Sequence, residues 1–320
     1  ATGNGNVTDL GVPNPTAHGV AYSTATSPVI GDSVVDNGAA GATGAFTSSL
    51  TGLTAGTTYY VRAFATNSSG TVYGAEVSFT TLNTSTVTTQ AVSAIATTTA
   101  TGNGNVTDLG VPNPTAHGVA YSTATSPVIG DSVVDNGAAG ATGAFTSSLT
   151  GLTAGTTYYV RAFATNSSGT VYGAEVSFTT LNASTVTTQA VSAIATTTAT
   201  GNGNVTDLGV PNPTAHGVAY STATSPVIGD SLVDNGAAGA TGAFTSSLTG
   251  LTAGTTYYVR AFATNSSGTV YGAEVSFTTL NTSTVTTQAV SAIATTTATG
   301  NGNVTDLGVP NPTAHGVAYS

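Results

Sequence analysis

The most regular hydrophobic pattern in the chain is the alternation within TTYYVRAFAT at 57–66. In an extended segment Tyr59 and Val61 share one face with the alanines that follow, while Tyr60 and Arg62 share the other. Alternation with a period of two predicts a β-strand that has one face in a core. No segment keeps the 3.6-residue period of an amphipathic helix over a useful length. The pattern therefore predicts an all-β chain.

Similar alternating segments, bounded by Gly, Pro, Asn and Asp, predict seven strands in one stretch of sequence. They are strand A at 87–97, strand B at 99–110, strand C at 17–24, a short edge strand at 33–38, strand E at 44–53, strand F at 57–66 and strand G at 71–82. Antiparallel strands of this number and length are typical of a β-sandwich.

Strand B contains the unusual segment ATGNGNVTDLG, which opens the chain. Asn4-Gly5 is a typical hairpin-turn dipeptide, but the alternation runs through it without a break. We therefore predict a strand in which Gly3, Gly5 and Val7 share one face. This face of small residues is expected to leave room for tyrosines and phenylalanines of the facing sheet.

Strands F and G are predicted to form a hairpin with a three-residue loop at 68–70, in which Gly70 takes the left-handed conformation. Asn67 then lies opposite Thr71. The paired positions are Val61 with Val77 and Tyr59 with Phe79 on the inner side, and Arg62 with Glu76 and Phe64 with Gly74 on the outer side. The core is predicted to contain Val20, Tyr22, Phe46, Leu50, Tyr59, Tyr73, Val77 and Phe79.

The whole pattern repeats every 99 residues with two variable positions. One is Val34, Val133 and Leu232, and the other is Thr84, Ala183 and Thr282. A period of this length fits one β-sandwich domain rather than a solenoid repeat. We predict a partial repeat without strand A at 1–82, complete sandwiches at 83–181 and 182–280, and a partial repeat at 281–320 that holds strands A, B and the start of C.

The two ends of the chain fall inside the repeat. A chain that begins at strand B and ends in strand C is expected to be a window cut from a longer array. The alternative is that a strand A donated by a neighbouring chain completes the first repeat.

Composition narrows the possible functions. The chain has 320 residues, a net charge of −10, no Cys, Met or Trp, and only three cationic side chains, all arginine. A nucleic-acid binder needs a basic face, so we predict no nucleic-acid partner. No apolar run approaches the roughly 20 residues of a membrane span, which predicts no membrane insertion. The surface rich in Thr, Ser and Asn, with few sites for trypsin-like proteases, favours an extracellular or cell-surface location.

Few residues are candidates for catalysis, metal binding or modification. Asp32 and Asp36 lie in turn-like segments and are the candidates for a calcium site, although turn formation through backbone bonds explains them equally well. His18 has no cysteine or acidic partner in its segment, so we expect an ordinary strand residue. Glycosylation sequons occur at Asn6, Asn67 and Asn83. We predict no catalytic residue and no cofactor.

The segment LTGLTAGTTYYVRAFATNSSGTVYGAEVSFTT at 49–80 resembles the second half of a fibronectin type III domain. The matching positions are Leu53, Gly56, Thr57, Tyr59, Val61, Arg62, Ala65, Asn67 and Gly70. The preceding GNVTDLGVPNPTAHGVAYST is similar to the version common in secreted and surface proteins of bacteria. The resemblance implies a sandwich used as a spacer or binding module, without catalytic residues, and places Tyr59 at the tyrosine corner. Ala55 replaces the usual proline, and strand B lacks the usual tryptophan.

Three functions follow from these observations. The leading hypothesis is a structural repeat of an extracellular filament or cell-surface stalk, whose partners are copies of itself or adjacent repeats. The second is a multivalent adhesin that binds surface glycans or host proteins through exposed Tyr60 and Phe64, with avidity from the repeats. The third is a set of spacer domains in a larger secreted enzyme, which requires a catalytic domain elsewhere in the reading frame.

Overall fold

The computed structural model describes residues 1–320 and contains strands but no helix. The strands of the first repeat are β1 Thr2–Val7, β2 Ala17–Ser23, β3 Ser33–Asp36, β4 Gly44–Ser49, β5 Thr58–Asn67, β6 Gly70–Tyr73 and β7 Val77–Thr80. Those of the second repeat are β8 Thr86–Ser93, β9 Ala100–Asp108, β10 Ala116–Ser122, β11 Ser132–Asp135, β12 Gly143–Leu149, β13 Thr157–Asn166, β14 Gly169–Tyr172 and β15 Val176–Thr179.

The third repeat has the same eight strands, and the last segment has two. They are β16 Thr185–Ser192, β17 Ala199–Asp207, β18 Ala215–Ser221, β19 Ser231–Asp234, β20 Gly242–Leu248, β21 Thr256–Asn265, β22 Gly268–Tyr271, β23 Val275–Thr278, β24 Thr284–Ser291 and β25 Thr299–Asp306. Strand A ends earlier than predicted, and in the second repeat Ala94 follows it with a φ of 48°. A left-handed residue at that point takes the chain out of the sheet.

The chain divides into two compact units. One contains Ala1–Ala94, Ala100–Leu149 and Tyr158–Phe178, and the other contains Ile95–Thr99, Thr150–Thr157 and Thr179–Ser320. The division into four repeats at 82, 181 and 280 does not coincide with these units and stays a prediction about domains.

Each unit holds antiparallel sheets of two kinds. In the first unit these are the pair β1-β4, the sheet β8-β9-β12, and two sheets in the orders β3-β2-β5-β6 and β11-β10-β13-β14, with β7 added to β5 and β15 to β13. The second unit has β16-β17-β20, then β19-β18-β21-β22 with β23 added to β21, and the pair β24-β25. The larger sheet faces the smaller one, which makes an immunoglobulin-like β-sandwich.

The core lies between the two sheets. In the third repeat it joins Ala199 of β17, Val218 of β18, Leu248 of β20 and Val259 of β21, all less than 5% exposed. In the first repeat Val20, Leu50 and Val61 form the corresponding centre, with Tyr22, Phe46, Leu53 and Phe79 packed around it. Of the predicted core residues, Val20, Tyr22, Phe46, Leu50 and Phe79 belong to this cluster, and Tyr59 is 9% exposed. The prediction for Val77 was wrong in this repeat, where Val77 is 63% exposed, although the equivalent Val275 packs against the core of the third repeat.

Strand B is a strand, as predicted, and its glycines have specific neighbours. A Cβ on Gly3 would lie 3.1 Å from the Val20 side chain in the facing sheet, and one on Gly5 would lie 2.2 Å from the Phe46 ring. Phe46 belongs to β4 of the same sheet, where it pairs with Gly5. The space is therefore filled by a valine of the facing sheet and a phenylalanine of its own sheet, rather than by facing aromatics.

The F–G hairpin differs from the predicted register. Asn67 pairs with Gly70, so the loop contains two residues, Ser68 and Ser69, and Gly70 begins β6 with a φ of 133°. Further along, Val61 pairs with Val77 and Tyr59 with Phe79 as predicted. The two ladders are out of step by one residue, and the segment 74–76 absorbs the difference as a bulge.

This shift exchanges the faces of two side chains. Phe64 pairs with Tyr73, not with Gly74, and so Tyr73 shares the outer face with Phe64. The prediction that Tyr73 belongs to the core was wrong. The inner position is taken by the preceding valine, since Val171 of the second repeat packs against the buried Val87, Ala162 and Ala164.

The joint between repeats is short and hydrogen-bonded. Five residues separate β7 from β8, and among them Asn83 forms a two-bond bridge with Val111, at 3.0 Å in both directions. The Asn166 side-chain amide donates to the Asn83 carbonyl at 2.8 Å, and the Ser85 hydroxyl donates to the Leu109 carbonyl at 2.8 Å. The linker backbone is thus held by the repeat that follows it.

Candidate functional site: the polar side chains of one repeat

The single arginine of the first repeat has partners other than the predicted carboxylate. The Arg62 Nε donates to the Gly74 carbonyl at 3.2 Å, and its guanidinium carbon lies 4.6 Å from the centre of the Tyr73 ring. The same stacking occurs at Arg161 and Arg260. The predicted Arg62–Glu76 pair is wrong because the bulge at 74–76 brings a carbonyl and an aromatic ring to the guanidinium instead.

Glu76 instead accepts a hydrogen bond from the loop between β2 and β3. Its carboxylate accepts a hydrogen bond from the backbone N–H of Ser27, and the Tyr73 hydroxyl accepts one from the N–H of Ile30 at 3.0 Å. Both donors lie in the loop at 24–32 between β2 and β3. We call Ser27, Ile30, Tyr73 and Glu76 the loop latch. The equivalent contacts recur in the second and third repeats.

The aromatic patch proposed for ligand contact is not an exposed patch. Phe64 is only 5% exposed, and its counterparts Phe163 and Phe262 are 2% and 1% exposed. Phe64 pairs with Gly19 on the neighbouring strand, and a Cβ on the equivalent Gly217 would lie 3.2 Å from the Phe262 ring. The ring thus covers a glycine within its own sheet. Tyr60 is half-buried, so it alone remains of the predicted patch.

The candidate calcium ligands are bonded to the backbone of their own turns. The Asp32 carboxylate accepts from the Val29 N–H at 2.9 Å, and that of Asp36 accepts from the Gly38 N–H at 2.8 Å. Asp9 does the same for Gly11 at 2.8 Å. The bonds of Asp9 and Asp36 to the N–H two residues on are the Asx-type bonds of turn-forming aspartates, and Asp32 accepts from the N–H three residues upstream in its own loop. No three His, Cys, Asp or Glu side chains lie close enough together to hold a metal ion.

His18 is similarly occupied by its surroundings. Its Nδ1 lies 2.7 Å from the Gly38 carbonyl, and its ring stands edge-on to that of Phe46, with 4.8 Å between centroids. A ring N–H at Nδ1 that donates to this carbonyl satisfies the geometry. The residue ties the β3–β4 connection to strand C, and no nucleophile or carboxylate contacts it.

Tyr59 closes the loop that precedes strand F. Its hydroxyl accepts a hydrogen bond from the Thr54 N–H at 3.1 Å, and Tyr257 does the same for Thr252 at 3.0 Å. This bond to the backbone five residues upstream is the contact of a tyrosine corner. The ring also stacks on Phe79 at a centroid distance of 5.9 Å.

The asparagines of the glycosylation sequons differ in how exposed their side chains are. The Asn67 amide donates to the Pro13 carbonyl at 2.8 Å, and its oxygen accepts from the Ser69 N–H. The equivalent Asn166 and Asn265 are each 5% exposed. Glycosylation at this position would require these bonds to break, whereas Asn6 is exposed.

Comparison with known proteins adds little. No family model and no curated protein matches the sequence. Similar solved structures include the chicken CNTN1 FN1-FN3 domains, at 15% identity and a TM-score of 0.33, covering 83% of this chain and 90% of that one. Domains A168-A170 from titin are 19% identical with a TM-score of 0.35, covering 87% and 92%. Likeness at this level identifies no family.

The structure contains no helix long and apolar enough to cross a bilayer.

Proposed function

We propose that the chain is a non-catalytic structural repeat of an extracellular filament or cell-surface stalk, of the kind found in secreted bacterial proteins. The observation that carries this proposal is the use of the polar side chains. The histidine, the turn aspartates, the glutamate and the arginine each make contacts that shape the repeat. Groups committed to backbone bonds are poor candidates for turnover chemistry.

The joints support the same proposal. A linker that is bridged to the next repeat at Asn83 and again at Asn182 gives each addition of a repeat the same local connection. The length of such an array is set by the number of repeats, which is the property a stalk or filament requires. The acidic surface, with a net charge of −10, also disfavours self-aggregation at neutral pH.

The adhesin is the weaker alternative, because burial of Phe64 removes half of its contact patch. A glycan array and a panel of host matrix proteins, probed with the whole chain, separate the two. If the chain is a structural repeat, its binding to glycans and to matrix proteins should equal that of a variant with Tyr60, Tyr159 and Tyr258 replaced by serine. Specific binding that this variant loses would favour the adhesin.

Electron microscopy of native material, labelled with antibodies against the repeat, tests the structural role directly. We expect label along surface filaments or stalks. Label confined to a soluble secreted protein, together with a catalytic domain in the complete reading frame, would favour the spacer function and contradict the filament.

A further inference from the structure

Each complete repeat contains two Asn–Gly pairs, and the fold places them in different surroundings. In the second repeat one pair is Asn103-Gly104 in β9, and the other is Asn136-Gly137 directly after β11. The third repeat has Asn202-Gly203 in β17 and Asn235-Gly236 after β19. Asparagine followed by glycine is prone to succinimide formation, because glycine has no side chain that shields its backbone nitrogen. The repeat therefore carries the same reactive pair once in a strand and once in a turn.

The pair in the turn is held by hydrogen bonds of side chains. Asn136 is exposed, and Gly137 has a φ of 82° with open space where a Cβ would lie. The Gly137 N–H donates to the Asp135 carboxylate at 2.8 Å, so rotation of one exposed side chain frees this nitrogen. The Asn136 amide donates to the Thr146 carbonyl at 3.1 Å, and its oxygen accepts from the Ser147 hydroxyl at 3.3 Å. The two reacting groups can therefore meet without the opening of a β-ladder.

The pair in the strand is held by backbone ladders on both sides. Asn103 pairs with Thr146 of β12 and with Gln90 of β8. Its amide also donates to a carbonyl and a hydroxyl that follow in strand A, at 2.7 and 2.9 Å. Gly104 is buried, and a Cβ there would lie 2.3 Å from the Phe145 ring. Ring closure at Asn103 therefore requires the central strand of the smaller sheet to open.

We propose that Asn136 and Asn235 are sites of spontaneous modification, which convert to aspartate and isoaspartate in the folded chain. The sheet protects Asn103 and Asn202 from the same reaction. Native proteins open locally at turns far more often than they open at central strands, and this difference separates the two pairs of one repeat. The inference does not rest on the proposed function, because the reaction needs only the folded repeat and water.

The reaction proceeds through a cyclic imide. The Gly137 nitrogen loses its proton to a base in the solvent and attacks the side-chain carbonyl carbon of Asn136. A new C–N bond closes the succinimide ring, the bond from that carbon to the amide nitrogen breaks, and the nitrogen takes a proton from water and leaves as ammonia. Water then adds to either carbonyl of the ring and opens it, which gives aspartate or isoaspartate. The net reaction consumes one water and releases one ammonia, without oxidation or reduction.

The third repeat has the same contacts at the equivalent turn. The Asn235 amide donates to the Thr245 carbonyl at 3.2 Å, and the Gly236 N–H donates to the Asp234 carboxylate at 2.8 Å. Gly236 has a φ of 83°. The two turn sites should therefore react at similar rates, and each serves as a control for the other within one molecule.

Modification releases the turn from the strands that it joins. A carboxylate at position 136 cannot donate to the Thr146 carbonyl, so the link between the turn and strand E is lost. Isoaspartate also adds a methylene to the main chain next to Gly137, whose carbonyl accepts from the backbone N–H of His117 at 2.9 Å and lies 2.7 Å from its Nδ1. We therefore expect amide exchange at 132–142 to be faster in modified molecules than in unmodified ones.

Peptide mapping of the whole chain by mass spectrometry, after incubation at mildly alkaline pH, measures each site separately. We expect the folded chain to convert Asn136 at least about tenfold faster than Asn103, since the turn opens locally. In denaturant the two should convert at similar rates, because both are then plain Asn–Gly pairs. Ser147→Ala removes one restraint on Asn136 and should raise its rate severalfold relative to Asn235 in the same molecule.

A folded chain that keeps Asn136 and Asn235 intact, under conditions in which the denatured chain converts them, overturns the proposal. Native conversion of Asn103 as fast as that of Asn136 also overturns it, because the sheet would then give no protection. Equal rates at Asn136 and Asn235 in the Ser147→Ala chain would contradict the side-chain hydrogen bonds as the restraint on the turn.

Discussion

At the residue scale, the glycines of strand B are required by side chains that occupy the space of their missing Cβ atoms. Gly104 is the tightest case in the second repeat. A Cβ there would lie 2.3 Å from the Phe145 ring and 2.9 Å from the Ala162 Cβ. Both neighbours belong to the sandwich interior, so neither can move without disturbing packing.

We expect Gly104→Ala to destabilise the second repeat by about 1–3 kcal/mol, through overpacking. For a domain of this size that lowers the melting temperature by roughly 4–8 °C per kcal/mol. Calorimetry of the whole chain should show one component moving to lower temperature. The control is Gly140→Ala, which meets nothing within 4 Å, and an equal shift in the control would refute the steric explanation.

The tyrosine corner gives a second prediction at this scale. Tyr257→Phe leaves the ring stacked on Phe277 but removes the acceptor of the Thr252 N–H. Loss of this hydrogen bond is expected to lower the free energy of unfolding by about 0.5–1.5 kcal/mol, because the N–H left behind belongs to the exposed Thr252 and can bond to water. Denaturant unfolding measures it. Tyr258→Phe, at a half-buried position on the other face, should change stability by less than about 0.5 kcal/mol, and a reversal of the two effects would contradict the assignment.

At the element scale, the F–G hairpin shows which features of the fold can be predicted from the sequence and which cannot. The strands follow from alternation, and matching the inner faces of strands F and G gives the pairs Val61–Val77 and Tyr59–Phe79, which the structure has. The loop length does not, because TVY at 71–73 alternates equally well in either register, and a slip of one residue turns each side chain to the opposite face. The available signal was Gly74, since a glycine inside a strand is typical of a bulge.

The one-residue bulge at 74–76 also made the predicted side-chain contacts of the candidate site wrong. A bulge-free hairpin sets Arg62 opposite Glu76, so the sequence predicts a pair that the bulge separates. The loop latch was not predicted, since its donors lie some 45 residues away in the chain and carry no pattern. Backbone N–H groups leave no trace in a sequence, whereas the turn aspartates, with Asn and Gly neighbours, were recognisable.

The latch predicts a specific change in loop dynamics. Replacing Glu76, Glu175 and Glu274 by alanine removes the acceptor of one loop N–H in every repeat. We expect amide exchange in the loop at 24–32 and its equivalents to accelerate by about tenfold or more, while the core strands keep their protection. Hydrogen–deuterium exchange with mass spectrometry measures this, and the glutamine variant, which keeps an acceptor oxygen, should exchange more slowly than the alanine variant. Uniform acceleration along the chain would contradict a local latch.

At the scale of the whole molecule, the placement of three arginines governs its response to trypsin. Each lies within a strand F, half-buried and stacked on a tyrosine. Cleavage requires that strand to open, and its rate then follows the population of the open form.

We expect the native chain to resist trypsin under conditions that cut the denatured chain at Arg62, Arg161 and Arg260. The denatured chain should give four fragments, because three sites divide one chain into four. Gel electrophoresis followed over time measures both. Native cleavage as fast as that of the denatured chain would show that strand F opens readily, and would contradict its central position in the larger sheet.

The identical ladders of β8–β9 and β16–β17 have a consequence for biosynthesis. Once the chain is denatured, every strand A has several equivalent partners, and refolding from that state invites misassembly between neighbours. A ribosome releases the repeats one after another, so each strand A can pair with the strand B that follows it before the strands B of later repeats have been synthesised. The order of synthesis, rather than any difference in sequence, then directs each strand to its own sandwich.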